Sequence, residues 1–173
     1  AVYFRTLAQE APSASEATFI RGAQVYSNKV QRAQDLNEKK ALLDSLMMIY
    51  DLRVQYFPSS PNYGTAYVLD RKAREYLTFN PSDREGVRKL YKEAIEAGLQ
   101  SGYAALPDVA LVYFSNLCDD YKMGEVYPDA VLDEYARLAP IFESDAPGVK
   151  EAKTQFDTCF AGSGAADFEN LEK

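Results

Sequence analysis

Apolar residues recur along this chain at helical spacing. After Asn37, the residues Leu42, Leu43, Leu46, Met47, Tyr50, Val54 and Phe57 return at steps of three and four, the period that lines up side chains on one side of an α-helix. The stripe predicts one buried helix face. Alternating β-branched runs and Asn-Gly or Asp-Gly hairpin turns are missing, and Ala, Leu, Glu, Lys and Arg fill the segments between breaks, so the reading is all-α.

The breaks have specific chemistry. Ser13-x-x-Glu16 and Ser82-x-x-Glu85 match the capping box that satisfies free backbone donors at a helix start. Pro61, Pro107, Pro128 and Pro147 each precede a helical stretch, where the fixed φ of proline suits a first turn. Gly102 and Gly124 stand where helices should stop. Helices are predicted over 1–9, 14–33, 37–57, 62–79, 83–100, 105–122, 128–143 and 147–160. Short polar connections favour antiparallel neighbours, hence a train of helical hairpins over 14–57, 62–100 and 105–143, closed by the helix 147–160. The reading takes residues 1–161 as a single domain. The tail 162–173, opened by Gly162-Ser163-Gly164, reads either as a short final helix or as disordered chain.

An internal repeat is superimposed on the helices. Counting from Pro12, Pro61, Pro107 and Pro147, the eleventh or twelfth residue is Ala23, Ala73, Cys118 or Cys159. Three residues later stand Tyr26, Tyr76 and Tyr121, with Gly162 in the fourth copy, where the helix is expected to end. A small residue lets two helices approach, and the Tyr one turn on fills the adjoining groove. The second helices share an apolar residue four before a Tyr: Leu46 and Tyr50, Val87 and Tyr91, Val131 and Tyr135.

These residues resemble the tetratricopeptide repeat family, most clearly at Ala73, Tyr76, Val87, Tyr91 and Ala94, with Ala23, Tyr26, Leu46, Tyr50 and the helix-closing Pro58 in the first copy. The likeness covers approximately residues 12–145. It departs from the family in its longer repeats, in the lack of any Trp, and in Pro140, which falls inside a predicted helix and should kink or shorten it. The resemblance implies a right-handed superhelix, or solenoid, of antiparallel helix pairs that acts as a non-enzymatic scaffold. Its first helices would line a concave groove for a protein or peptide, with Gln24, Ser27, Asn28, Asp70, Arg74, Ser115, Asp119 and Lys122 as exposed contacts. The overall style is also similar to tetratricopeptide proteins exported by gut Bacteroidetes, which implies a periplasmic or cell-envelope location.

Composition narrows the chemistry. The 173-residue chain has 26 acidic and 19 basic residues, a formal charge of −7, which disfavours nucleic acid as a partner. No apolar run approaches the roughly 20 residues of a membrane span, so no membrane insertion is expected. Ala1 to Gln9 reads as an amphipathic helix already under way, with any leader or first half-repeat upstream.

Histidine is absent, which removes the commonest general base and the commonest zinc ligand. Phosphate-binding glycine loops and calcium loops are missing as well, so no cofactor or metal is expected. Carboxylate pairs such as Asp119 with Asp120, or Glu143 with Asp145, read as solvated or capping groups rather than an acid and base.

Cys118 and Cys159 share a column with two alanines, which favours free buried thiols. A bridge is conceivable, but it needs Cα atoms within about 7 Å, less than the usual 8 to 10 Å between helix axes. Of the 13 tyrosines, Tyr63, Tyr67, Tyr103, Tyr113 and Tyr127 have no role in the repeat. They support an alternative reading, an envelope protein that binds glycan or another small ligand through exposed tyrosines.

Overall fold

The computed structural model describes Thr6, residues 15–60 and residues 63–170, with side chains as far as residue 167. Apart from Thr6, the helix expected over 1–9 lies outside the described residues, as do Pro12, Ser13 and Pro61. All described secondary structure is helical: α1 (Glu16–Arg32), α2 (Leu36–Tyr56), α3 (Thr65–Phe79), α4 (Arg84–Ser101), α5 (Leu106–Lys122), α6 (Pro128–Leu138) and α7 (Val149–Ser163), with 3-10 turns at Ala139–Phe142 and Ala165–Asn170. The chain, read from sequence as one domain, gathers into two compact units, Ala1–Ala97 and Gly98–Lys173.

The first unit is built round α2. The short connection after α1 folds α2 back along it, and α3 packs on α2 in turn. Leu43, Leu46 and Tyr50 of the predicted stripe are buried, but so are Ile49, Leu52 and Arg53. The single buried face expected for this helix is therefore too narrow, because a helix held between two neighbours covers more of its circumference. Phe19, Ala23 and Val30 of α1 and Val68 of α3 complete the core, and the Phe19 ring meets Phe57 at 5.7 Å. Buried charges are paired: Lys72 Nζ lies 2.5 Å from Asp51 Oδ1, and Arg74 Nε donates to Asp70 Oδ1 at 2.6 Å.

The second unit is built in the same way round α5, which packs against α7 and α6. Val109, Ala110, Tyr113, Phe114, Leu117 and Cys118 are buried along it. An aromatic cluster joins its helices: Phe114 meets Phe156 at 4.4 Å, and Tyr135 stacks on Phe160 at 3.9 Å. The Tyr135 hydroxyl donates to Asp157 Oδ1 at 2.9 Å.

The recurring positions differ in burial, and Tyr26, Tyr76 and Tyr121 are half-buried and Gly162 exposed. Ala23, Ala73 and Cys118 are buried and Cys159 half-buried; in the second helices Leu46, Tyr50, Val87, Tyr91 and Val131 are buried and Tyr135 half-buried. Pro140 shortens its helix as expected, with α6 ending at Leu138 and the chain tightening to 3-10 geometry over Ala139–Phe142. Gly102 and Gly124 take positive φ, 66° and 78°, as helix-ending glycines do.

Three local readings change. The first described helix is capped by Ser15, whose Oγ accepts from the Ala17 amide at 3.2 Å. The fourth is capped by Asp83 rather than Ser82, its Oδ1 accepting from the Gly86 amide at 3.0 Å. Tyr76 decides between the two, since its hydroxyl donates to the Asp83 carboxylate while itself accepting from Asn80 Nδ2 at 3.1 Å. Finally, α7 does not end before Gly162 but runs on to Ser163, stopped by Gly164 at φ 78°. The residues after it begin as a 3-10 turn.

Replacing Asp83 by Ala should lower the unfolding free energy of the first unit by about 1 kcal/mol, the usual cost of a lost N-cap. Ser82→Ala should cost much less. Urea denaturation of the two variants checks this assignment, and an equal loss in both would put the cap back on Ser82.

Candidate functional site

The first unit holds a recess of about 190 Å³ lined by Ile20, Ala23 and Gln24 of α1, Tyr50 and Arg53 of α2, Tyr63, and Tyr67, Arg71 and Glu75 of α3. Helical spacing aims these side chains at one place. Gln24 lies one turn past Ile20; Tyr50 and Arg53 are three apart on α2; Tyr67, Arg71 and Glu75 recur at every fourth residue of α3.

Arg53 is the unusual member. It occupies the apolar stripe of α2 between Tyr50 and Phe57 and is only 4% exposed. Its Nη2 reaches Glu16 Oε1 at 3.1 Å, and Ser60 Oγ donates to the other Glu16 oxygen at 2.7 Å. The guanidinium carbon lies 6.0 Å from the Tyr63 ring centre, within range of a cation–π contact. Tyr63 and Tyr67 meet at 5.0 Å with their planes tilted by 43°.

Glu75 of α3 lines the same recess. Arg71 Nη2 lies 3.7 Å from its Oε1, and the hydroxyls of Tyr50 and Ser27 are hydrogen-bonded to the carboxylate. Burial raises the Glu75 carboxyl above its ordinary 4.5, against the hydrogen bond from Tyr50, the Arg71 charge and the hydrogen bond from Ser27. Burial also raises the Tyr50 phenol, assisted by the negative charge of Glu75.

Two side chains that line this recess each carry a buried atom with no hydrogen-bond partner in the protein, Arg53 Nε and Glu75 Oε2. One donates and the other accepts. Each unpaired buried group costs about 1–3 kcal/mol, so each calls for a physical reason. A larger groove of about 500 Å³ between Leu36, Lys39, Lys40, Asp44 and the turn Asn80–Asp83 has no comparable feature. Its Tyr76, Asp83 and Asn80 are hydrogen-bonded to one another.

The residues expected to form a concave binding face are distributed as follows. Gln24 is exposed on the recess, and Ser27 is half-buried behind it on Glu75. Asn28 is exposed on α1. Asp70 is not an exposed contact: it is 5% exposed, turned into the unit and tied to Arg74 four residues on, which keeps a third of its side-chain surface. In the second unit, half-buried Ser115 and exposed Asp119 and Lys122 gather beside Cys159. The carboxylate pairs do not meet as an acid and a base, for Asp119 is exposed whereas Asp120 is fully buried, and Asp145 is an exposed partner of Lys150 at 4.0 Å.

Arg53, Arg71 and Glu75 were not anticipated, and Tyr50 was assigned to packing alone. The signal for Arg53 was present, since a charged residue interrupts an apolar helix stripe. Among the described residues no group of three or more His, Cys, Asp or Glu side chains is placed to hold a metal ion. No described helix is long and apolar enough to cross a membrane.

The Glu75 shift has a pH signature. Because the folded state holds this proton more tightly than the unfolded chain does, the group stabilises the fold most below pH 4.5, and that contribution is lost as pH rises through the elevated folded value. Urea midpoints of the wild type minus those of Glu75→Gln should therefore fall over this window and then level off. Asp83 and Asp157, whose carboxyls are held below the ordinary 3.8, titrate at lower pH in both proteins and cancel. A difference that is flat or rises with pH would contradict the assignment.

Comparison with known proteins found no family model, curated protein or solved structure that matches this chain.

Proposed function

We propose that this chain is a non-enzymatic binding scaffold made of stacked helix pairs of tetratricopeptide type, and that its first unit takes one polar side chain of a protein or peptide partner into the recess between α1, α2 and α3. The observation that carries this reading is the pair of buried, unpartnered atoms of opposite sense, Arg53 Nε and Glu75 Oε2, on two side chains that line a single cavity of about 190 Å³. That volume suits one side chain rather than a drug-sized molecule. A primary carboxamide fits the polarity, with its oxygen accepting from Arg53 and its amino group donating to Glu75. Gln24 and the tilted Tyr63–Tyr67 pair at the recess then contact the partner backbone on either side of the inserted residue.

Selection of a random peptide library on the purified chain tests the proposal. The expected outcome is enrichment of Asn or Gln at one position. Tyr63→Ala and Gln24→Ala should each weaken capture of the selected peptides about tenfold, the size of one lost contact of about 1.4 kcal/mol. A general charged face would instead show its loss in Arg74→Ala with Lys122→Ala, leaving the recess variants unchanged. A library without enrichment counts against the peptide reading.

Tyr63 favours a second reading, because the residue is 37% exposed beside Tyr67 and lines the recess with Arg53 and Glu75. A sugar ring stacks on such a surface while its hydroxyls both donate and accept. Binding of a mono- or oligosaccharide raises the melting temperature with no peptide present. A positive response on a glycan array, abolished by Tyr63→Ala, would favour this reading over the scaffold.

A further inference from the structure

We propose that Cys118 and Cys159 form a thiol–disulfide exchange site in the second unit, with a low-molecular-weight disulfide as its oxidising co-reactant. It rests on different residues from the recess.

The geometry comes from helix register. Phe114 of α5 and Phe156 of α7 are in ring contact at 4.4 Å, and one turn further along each helix stand Cys118, four residues on, and Cys159, three residues on. The two packed helices thus bring the cysteines to one level, where the two thiols are neighbours. Both are free. The small side chains in this column, read from the sequence as fillers, let α5 and α7 approach closely.

The two thiols differ in a way that orders the chemistry. Cys118 is fully buried, whereas Cys159 is half-buried and is the one a reagent reaches. Cys159 accepts hydrogen bonds from Cys118 and from Ser115, and Lys122 lies close enough to favour its charge while Asp119 opposes it. The hydrogen bond from Cys118 is the largest influence lowering its thiol, and a lowered thiol is the more readily ionised nucleophile. Hydrogen bonding to Cys159, then burial, raises the Cys118 thiol.

In the reaction, the Cys159 thiolate attacks one sulfur of the reagent disulfide, forming a mixed disulfide and expelling one reagent thiolate. Cys118 then loses its proton and attacks Cys159 Sγ, which forms the intramolecular bond and expels the second reagent thiolate. The protein dithiol is oxidised, the reagent disulfide is reduced to two thiols, and the protons of the two cysteines end on those thiols. The bond ties α5 to α7 at their shared level.

The test uses the full folded chain in buffers of defined glutathione and glutathione disulfide ratio. Alkylation followed by mass measurement should show both thiols lost together, with no glutathione retained and full recovery on reduction. Cys118→Ala, which installs the residue already used in this column at positions 23 and 73, should stop at a stable glutathione adduct on Cys159. Cys159→Ala should give no adduct while folded. Circular dichroism establishes that each variant is helical. The wild type remains decisive if a variant fails to fold: two thiols that stay alkylatable in oxidising buffer, or adducts that persist without bridge formation, overturn the proposal.

Discussion

A helix packed on two sides has little surface on which to place a polar side chain, and each unit of this protein is organised round one such helix. In the first unit it is α2, held between α1 and α3; in the second it is α5, held against α6 and α7. Whatever stands on these helices must be apolar, small, or provided with partners inside the protein. Arg53 and Cys118 are the two residues on which this constraint acts most strongly. A buried guanidinium is stable only with opposite charge and hydrogen bonds around it, and Glu16, Ser60 and Tyr63 supply part of that requirement. The Arg53 Nε–H is buried without a partner in the protein. At Cys118 the side chain is small enough for α7 to come close, which brings Cys159 into contact. Both candidate sites therefore follow from the same packing demand, answered by different chemistry.

Much of the helical order was legible because it depends on local rules. Apolar spacing located α2, proline marked the start of α6, and Pro140 announced its early end. Burial of Ala23, Ala73 and Cys118 was legible for the same reason, since a small residue on a helix face suits close packing. Errors arose where a distant residue decided a local question. Ser82 and Asp83 are both competent caps, and only the Tyr76 hydroxyl, from the preceding helix, selects the aspartate. Glycine at 162 suggested a stop, but the helix has a better one at Gly164, where φ is positive.

The candidate site was legible in fragments. Gln24, Ser27, Tyr63 and Tyr67 could be selected from sequence as surface or unassigned residues. The residues that give the recess its polarity could not be assembled so easily, because Arg53 and Glu75 belong to different helices and meet only through the packing of α2 on α3. Asp70 shows the converse. By position it belonged with exposed contacts, yet the neighbouring Arg74 allowed it to be buried as half of an ion pair.

The break at Pro140 has a consequence for how chain length can vary. A residue inserted within α6 would rotate every later side chain by about 100° and carry Tyr135 away from Phe160 and Asp157. Beyond Phe142 the chain is free of that geometry: residues 143–148 are exposed and lie outside helix, so residues can be gained or lost there without turning either neighbouring helix. By ending the helix early, Pro140 separates a segment whose helical phase must be kept from a segment whose length is free to drift.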